Sequence, residues 1–155
     1  MQIRHICVIR VPNYHLRSLF FTTFTKKNMT DFLHKELTEL IIKAFYNVYN
    51  KLGYGFLEKV YENALAIELT EMGIEFEKQC TVQVYYKEQK VGFYVADFVV
   101  ADTVIVELKA AERLCPENEY QLLNYLRATD KEVGLLLNFG KKPQFKRLLM
   151  TNDRK

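Results

Sequence analysis

Three residues in one predicted β-hairpin, residues 91–110, have the types and spacing to do chemistry together: Asp97, Glu107 and Lys109. Alternate side chains of a strand share a face, so Glu107 and Lys109 lie on one side of the second strand. If residues 101–103 form a three-residue loop, position 97 opposes position 107 across the hairpin. The two carboxylates would then face each other, with Cβ atoms roughly 4.5–5.5 Å apart.

Opposed carboxylates indicate a divalent cation, because two like charges on facing strands repel unless something offsets them. Mg²⁺ favours one or two carboxylates together with waters and phosphate oxygens. Such an ion can activate a water molecule and stabilise charge on a phosphoryl group. Lys109, two residues beyond Glu107, can add positive charge beside the attacking water or the phosphate. The hairpin therefore predicts metal-dependent phosphoryl chemistry.

An ordinary structural interpretation of the same residues stays open. Glu107 and Lys109 could simply occupy the solvated face of an amphipathic strand, since the E-x-K spacing is common. Asp97 could be an aspartate next to a turn or at a helix cap. It is harder to dismiss, because its expected neighbours on the same face are apolar.

The elements that must position these residues follow from periodicity. Apolar residues at helical spacing predict one helix capped by Thr30 or Asp31 and ended by Gly53, and a second ended by Gly73. The apolar stripe of the second helix comprises Leu57, Val60, Tyr61, Ala64, Leu65, Leu69 and Met72. Strands are predicted at 74–78, 80–86, 91–100, 104–110 and 133–139, with a helix at 117–129. A terminal helix is an option for the last residues.

Composition bounds the class of protein. The chain has 155 residues, 49% hydrophobic and 26% charged, which suits one globular domain. No apolar run approaches the roughly 18 residues that a membrane span needs. The only serine, Ser18, lies outside any hydrolase motif. Three scattered cysteines favour free thiols in a reducing cytoplasm over a disulfide framework or a zinc ribbon: Cys7, Cys80 and Cys115.

Residues 1–28 differ from the rest of the chain. They contain five basic residues and no acidic one, so that the remaining residues 29–155 carry about −2 of the total charge of +3. Because Met29 directly precedes a predicted helix start, this extension could be upstream translation, or else a disordered or loosely packed basic arm. We expect the folded domain to comprise residues 29–155.

Two motifs give the chain a family resemblance. The segment from Asp97 to Lys109 resembles the D-x(n)-E-x-K signature of the PD-(D/E)XK nuclease superfamily. The segment Gly55–Tyr61, GFLEKVY, is similar to the G-x-x-E-x-x-Y pattern of the GxxExxY proteins, a family of small nuclease-like domains. The resemblance runs from about Thr30 to about Leu149. One departure is Ala96, which stands where the superfamily name has proline and leaves the acidic residues unchanged.

The resemblance implies a single α/β domain with a restriction-endonuclease-like α-β-β-β-α-β core, in which helices flank a central mixed sheet. It implies that Asp97 and Glu107 bind Mg²⁺ or Mn²⁺, and that Glu58 points into the same site as a further acidic ligand. Gln121 and Tyr125, four residues apart on one helix face, are similar to the Q-x-x-x-Y motif of RecB-type nucleases. There these residues help to orient the substrate or the site, although such a pair is also common on ordinary helix surfaces.

The expected function is therefore hydrolysis of phosphodiester bonds in DNA or RNA by a cytoplasmic enzyme that does not enter membranes. The alternative is a non-catalytic nucleic-acid- or protein-binding module that keeps the nuclease fold. A third interpretation, a structural homodimer, rests on aromatic residues that could line a strand-mediated interface: Tyr85, Tyr86, Phe93 and Tyr94.

The C-terminal residues 141–155 carry six basic residues against Asp153. This +5 balance could hold a phosphate backbone. A solvated helix face is the plainer interpretation of the same segment. The sequence does not decide between them.

Overall fold

The structure, a computed structural model, describes residues 34–155. Within that span the chain forms three α-helices, five β-strands and a closing 3₁₀ turn. In chain order these are α1 (Lys35–Leu52), α2 (Glu58–Glu71), β1 (Phe76–Tyr86), β2 (Gln89–Val100), β3 (Val104–Lys109), α3 (Pro116–Arg127), β4 (Val133–Asn138), β5 (Gln144–Leu149) and the turn Asn152–Arg154. None of the described helices is long and apolar enough to cross a membrane.

The five strands form one mixed sheet in the order β1-β2-β3-β4-β5. Neighbouring strands are antiparallel except β3 and β4, which run parallel and are joined through α3. Helices α1 and α2 cover one face of the sheet, and α3 covers the other. This arrangement confirms the predicted α/β domain with a mixed sheet flanked by helices.

The predicted register of the central hairpin is confirmed for the three pairs next to the loop, but the regular pairing ends before positions 97 and 107. Val100 pairs with Val104 and Phe98 pairs with Val106, so residues 101–103 form the three-residue loop. Ala101 and Asp102 have φ angles of 48° and 50°, in the left-handed region, although the loop contains no glycine. Because a shift of one residue would turn every side chain to the other face, this register decides where Asp97 and Glu107 point.

Side chains alternate between two apolar clusters along β3. Val104, Val106 and Leu108 pack under α1 and α2, whereas Ile105 packs under α3. All four are buried, since both faces of this central strand are covered by helices. The buried position of Glu107 on the same strand is therefore a departure from an otherwise apolar pattern.

The G-x-x-E-x-x-Y segment builds the start of α2. Gly53, at a φ of 69°, ends α1, and the Tyr61 hydroxyl donates to its carbonyl oxygen at 2.9 Å. The fully buried Tyr61 ring stacks on Phe139 with centroids 4.2 Å apart. Gly55 has a φ of 104°, a backbone angle that residues other than glycine rarely adopt. These contacts fix the first turn of α2, and with it Glu58.

Three sequence-based expectations need correction. The two short strands predicted at 74–78 and 80–86 form the single strand β1, which continues through Gln79. The C-terminal segment forms the edge strand β5 instead of a helix, because its exposed polar residues pair with β4 through the backbone. Leu57 and Val60, predicted in the apolar stripe of α2, are 78% and 39% exposed.

Two further expectations fall outside the described residues: the basic extension 1–28 and the cap of the first helix at Thr30 or Asp31. In the described part, α1 begins at Lys35 after His34. The C-terminal basic residues make individual contacts. Lys146 forms an ion pair with Glu119, and the Lys155 ammonium donates to two backbone carbonyl groups.

Candidate active site

The candidate site forms where β3 loses its pairing with β2. The regular β2–β3 pairs end at Phe98 and Val106, whereas β3 stays paired with β4 as far as Lys109 and Asn138. Beyond that point the Asp97 side chain, and not the β2 backbone, bonds to β3: its Oδ2 accepts a hydrogen bond from the Leu108 backbone N–H at 2.8 Å. The carboxylate of Asp97 is thus fixed to the strand that carries Glu107 and Lys109.

Glu107 is the most constrained acidic group of the site. The residue is only 4% exposed. Its Oε1 accepts hydrogen bonds from Lys109 Nζ and Gln121 Nε2, both at 2.8 Å. Its Oε2 is buried without a hydrogen-bond partner among the described residues. Burial, followed by the charge of Asp97, raises the pKa of Glu107 from 4.5 to about 7.

Asp97 is also held in an environment that disfavours its charge. Burial raises the pKa of its carboxyl group, and the hydrogen bond from Leu108 opposes that shift without cancelling it. The charges of Glu62 and Glu58 raise the pKa further. Two neighbouring carboxyl groups are therefore both costly to ionise, and a cation between them would reverse that cost.

Glu58 approaches the site from the other side of the sheet, as the first residue of α2. Its Oε1 accepts a hydrogen bond from the Ala110 backbone N–H at 3.2 Å, just past the end of β3. The side chain is exposed, and its charge acts on both Asp97 and Glu107. The structure thus brings Glu58 to the same end of β3 as the other predicted acidic residues.

Gln121 and Tyr125 connect α3 to the site. The Gln121 amide donates to Glu107 and to the Tyr125 hydroxyl, and that hydroxyl reaches the Val95 carbonyl oxygen at 3.4 Å. Burial raises the pKa of Tyr125 to about 12, so the hydroxyl keeps its proton. The pair therefore holds α3, β2 and the Glu107 carboxylate in one hydrogen-bonded chain.

Sequence reasoning missed Gln79 as part of this region. Its side-chain amide lies 3.3 Å from Asp97 Oδ1 and 3.2 Å from Glu62 Oε2. Glu62 is itself buried and paired with Lys59 and Lys78, at 2.8 and 2.9 Å. Gln79 has a φ of 53°, and the only signal in the sequence was the break in strand alternation at this position.

Asn138 is a second residue that the sequence did not single out. It is fully buried, and its amide exchanges two hydrogen bonds with the backbone of Ala111, at 3.0 and 2.9 Å. A Cβ atom on Gly140 would lie 2.0 Å from the Ala111 carbonyl oxygen. Asn138 and Gly140 therefore hold the chain as it leaves β3, directly behind Lys109.

Two carboxylates in the site, those of Asp97 and Glu107, are suited to bind a divalent cation. Among residues 34–155 no group of three or more histidine, cysteine, aspartate or glutamate side chains is gathered closely enough to bind a metal. Mg²⁺, however, is usually held by one or two carboxylates, with waters and phosphate oxygens completing its shell. The unpartnered Glu107 Oε2 beside Asp97 supplies an oxygen donor of this kind.

Comparison with known proteins agrees with the geometry. A family model described as the PD-(D/E)XK nuclease superfamily matches residues 35–148. No curated protein matches the chain significantly. A crystal structure of SSO0001 is similar at a TM-score of 0.40 and 13% identity, over 79% of this chain and 61% of that chain, a likeness too low to carry an argument. On the family match, which spans most of its length, this chain belongs to the PD-(D/E)XK nuclease superfamily.

Proposed function

We propose that the protein is a metal-dependent nuclease that hydrolyses phosphodiester bonds in DNA or RNA. The observation that carries the proposal is the buried, unpartnered Oε2 of Glu107 beside the Asp97 carboxyl group. A buried carboxylate oxygen without a donor costs free energy in the isolated protein. A divalent cation held by Asp97 and Glu107 would offset that cost, and Glu58 could bind through a water on the outer side.

Each residue has a definite task in this proposal. Asp97 and Glu107 hold Mg²⁺ or Mn²⁺, which when bound would lower the pKa of a water and stabilise charge on the phosphate. Lys109, whose side chain is 15% exposed and lies 2.8 Å from Glu107, donates to the attacking water or to a phosphate oxygen. Gln121 and Tyr125 keep the Glu107 carboxylate in place.

The superfamily and the open side of the site support this substrate class. Nuclease chemistry needs access for a phosphate backbone, and here Glu58 is exposed and Lys109 is partly exposed. Cys80 and Cys115 are not joined in a disulfide in the described part of the chain, which suits action in a cytoplasm. A non-catalytic binding module with this fold is the alternative that the following experiment must exclude.

The test is a cleavage assay of the whole chain on single- and double-stranded DNA and RNA, with Mg²⁺, with Mn²⁺ and with chelator. Wild type should release shorter products only with metal, and Glu107→Gln should not. Lys43→Gln, on the exposed face of α1, serves as a folded control that keeps the activity. Binding without cleavage of any of the four substrates would favour the non-catalytic module.

A further inference from the structure

A cleft lies between the β1–β2 hairpin and α3, outside the carboxylate site. Its volume is about 410 Å³. The residues that give it chemical character are Gln83, Tyr85, Tyr94, Asn124 and Arg127. It thus combines two aromatic rings, two amides and one permanent positive charge in one place.

The walls of the cleft are accessible and differ in character. Tyr85 and Tyr94 are 53% and 40% exposed, so both rings are accessible to a ligand. The Tyr85 hydroxyl donates to Gln83 Oε1, which links the Gln83 amide to this tyrosine. On the helix side, Arg127 Nη1 donates to Asn124 Oδ1 at 3.3 Å, so the guanidinium and the second amide stand together.

Side-chain contacts connect the cleft to the candidate active site. The rings of Tyr94 and Tyr125 lie 5.3 Å apart. The Tyr125 hydroxyl contacts Gln121, and the Gln121 amide donates to Glu107. A ligand against Tyr94 would therefore lie one side chain away from the network that holds Glu107.

Charge and chemistry favour a nucleotide over other occupants. Aromatic rings stack on nucleobases of any sequence, amides can bond to base edges, and arginine pairs with phosphate. A larger cavity of about 740 Å³ lies at the other end of the sheet, but its lining includes Glu75, Glu77 and Asp102. Those carboxylates would repel a phosphate backbone, whereas the smaller cleft presents Arg127.

We propose that the cleft binds an unpaired nucleobase of the substrate strand, with Arg127 on the adjoining phosphate. The inference rests on the proposed function for its substrate class and deepens it, because a base in this cleft cannot at the same time be stacked within a duplex. The site therefore favours single-stranded nucleic acid, or a strand end, over a continuous duplex.

The test measures binding by fluorescence anisotropy, with the whole chain and chelator, so that it does not depend on cleavage. The probes are a labelled deoxythymidine oligonucleotide of about 12 residues, an abasic strand of the same length and charge, and a duplex. Wild type should bind the base-bearing strand about tenfold more tightly than the abasic strand, the scale of one stacked base. Tyr85→Ala should remove that preference while leaving abasic binding unchanged.

Two matched controls sharpen the test. Tyr86→Ala removes a neighbouring exposed ring that does not line the cleft, and it should keep the preference. Arg127→Gln should weaken binding and reduce the slope of log Kd against log salt by about 0.7, the value for one phosphate contact on a single strand. Lys43→Gln, on the opposite face of the sheet, should leave the slope unchanged.

The inference is overturned if wild type does not distinguish base-bearing from abasic strands, if it binds neither strand, or if Tyr85→Ala and Tyr86→Ala behave alike. It is also overturned if Tyr85→Ala instead halves the mass in solution, which would make the cleft an interface between two copies of this chain. Cleavage without base preference would contradict base binding in the cleft and support the nuclease activity. Base preference without cleavage would support base binding and contradict the nuclease activity.

Discussion

The two halves of β3 show how one strand can serve both as core and as site. From Val104 to Val106 the strand pairs regularly with β2 and β4, and every side chain is apolar and fully buried. From Glu107 to Lys109 it stays paired with β4 only. There the Asp97 side chain binds the Leu108 N–H, which places a carboxylate beside the strand.

The difference shows that a strand paired on one side only leaves room for polar side chains at its free edge. The first half gains hydrophobic burial on both faces, as expected for a central strand in such a sheet. The second half lacks the pairing with β2 and carries Glu107, which has an unpartnered buried oxygen, and Lys109, while Asp97 of β2 lies beside it. We expect substitutions in the first half to affect folding and those in the second to affect chemistry, metal response and pH dependence.

The largest effect on stability is expected in the first half. Ile105 is fully buried under α3, so Ile105→Ala should lower the free energy of unfolding by about 2–5 kcal/mol, through lost burial and an unfilled cavity. Urea unfolding of the two proteins measures the difference. A loss below about 1 kcal/mol would show that the first half is not the rigid base of the site.

In the second half, Lys109→Ala should reduce metal-dependent cleavage by roughly 10²-fold or more, the scale of removing one transition-state stabiliser. Its affinity for metal should largely persist, because lysine donates hydrogen bonds and does not ligate a cation. Single-turnover rates and Mn²⁺ titration separate these two quantities. Undiminished cleavage by Lys109→Ala would remove Lys109 from the mechanism.

A third effect is expected from pH. Glu107 ionises near 4.5 in the unfolded chain and at about 7 in the folded protein, so the folded state holds the proton more tightly. The penalty for ionising it is absent below pH 4.5, grows as the pH rises to about 7, and then levels off. Metal-free wild type should lose stability across that window relative to Glu107→Gln. Equal pH slopes in urea unfolding would contradict the shifted ionisation.

Much of the site's geometry could be predicted from the sequence because the hairpin obeys simple rules. The alternation of residues and a three-residue loop were enough to place Asp97 opposite the strand of Glu107. Edge strand β5 escaped prediction, because its first half is exposed and only Leu148 and Leu149 pack against the core. Gln79 escaped because its contacts with Asp97 and Glu62 depend on a left-handed backbone inside a strand.

The same limit applies to α2 and to the cleft. Helical spacing alone placed Leu57 and Val60 in the core, but spacing does not say where a neighbouring element ends, and both are exposed. The cleft between the hairpin and α3 depends on how far β1 and β2 extend beyond β3. The predicted strands 91–100 and 104–110 already differed in length, but no pattern within one element could show that α3 packs beside the overhanging part.

The measurement that tests the account most directly is thermal unfolding with increasing Mn²⁺ or Mg²⁺. A cation that binds only the folded state should stabilise wild type by about 2.7 kcal/mol at a hundredfold excess over Kd. Asp97→Asn should be as stable as wild type without metal, or slightly more stable, and should lose most of the metal response.

Glu107→Gln should lose the metal response in the same way, whereas Glu88→Gln, an exposed turn residue, should keep it in full. That pattern is the result the account predicts. If Asp97→Asn and Glu107→Gln both retained the full stabilisation by metal, the two carboxylates would not form a metal site. The buried Glu107 would then be a structural residue, held by its hydrogen bonds to Lys109 and Gln121.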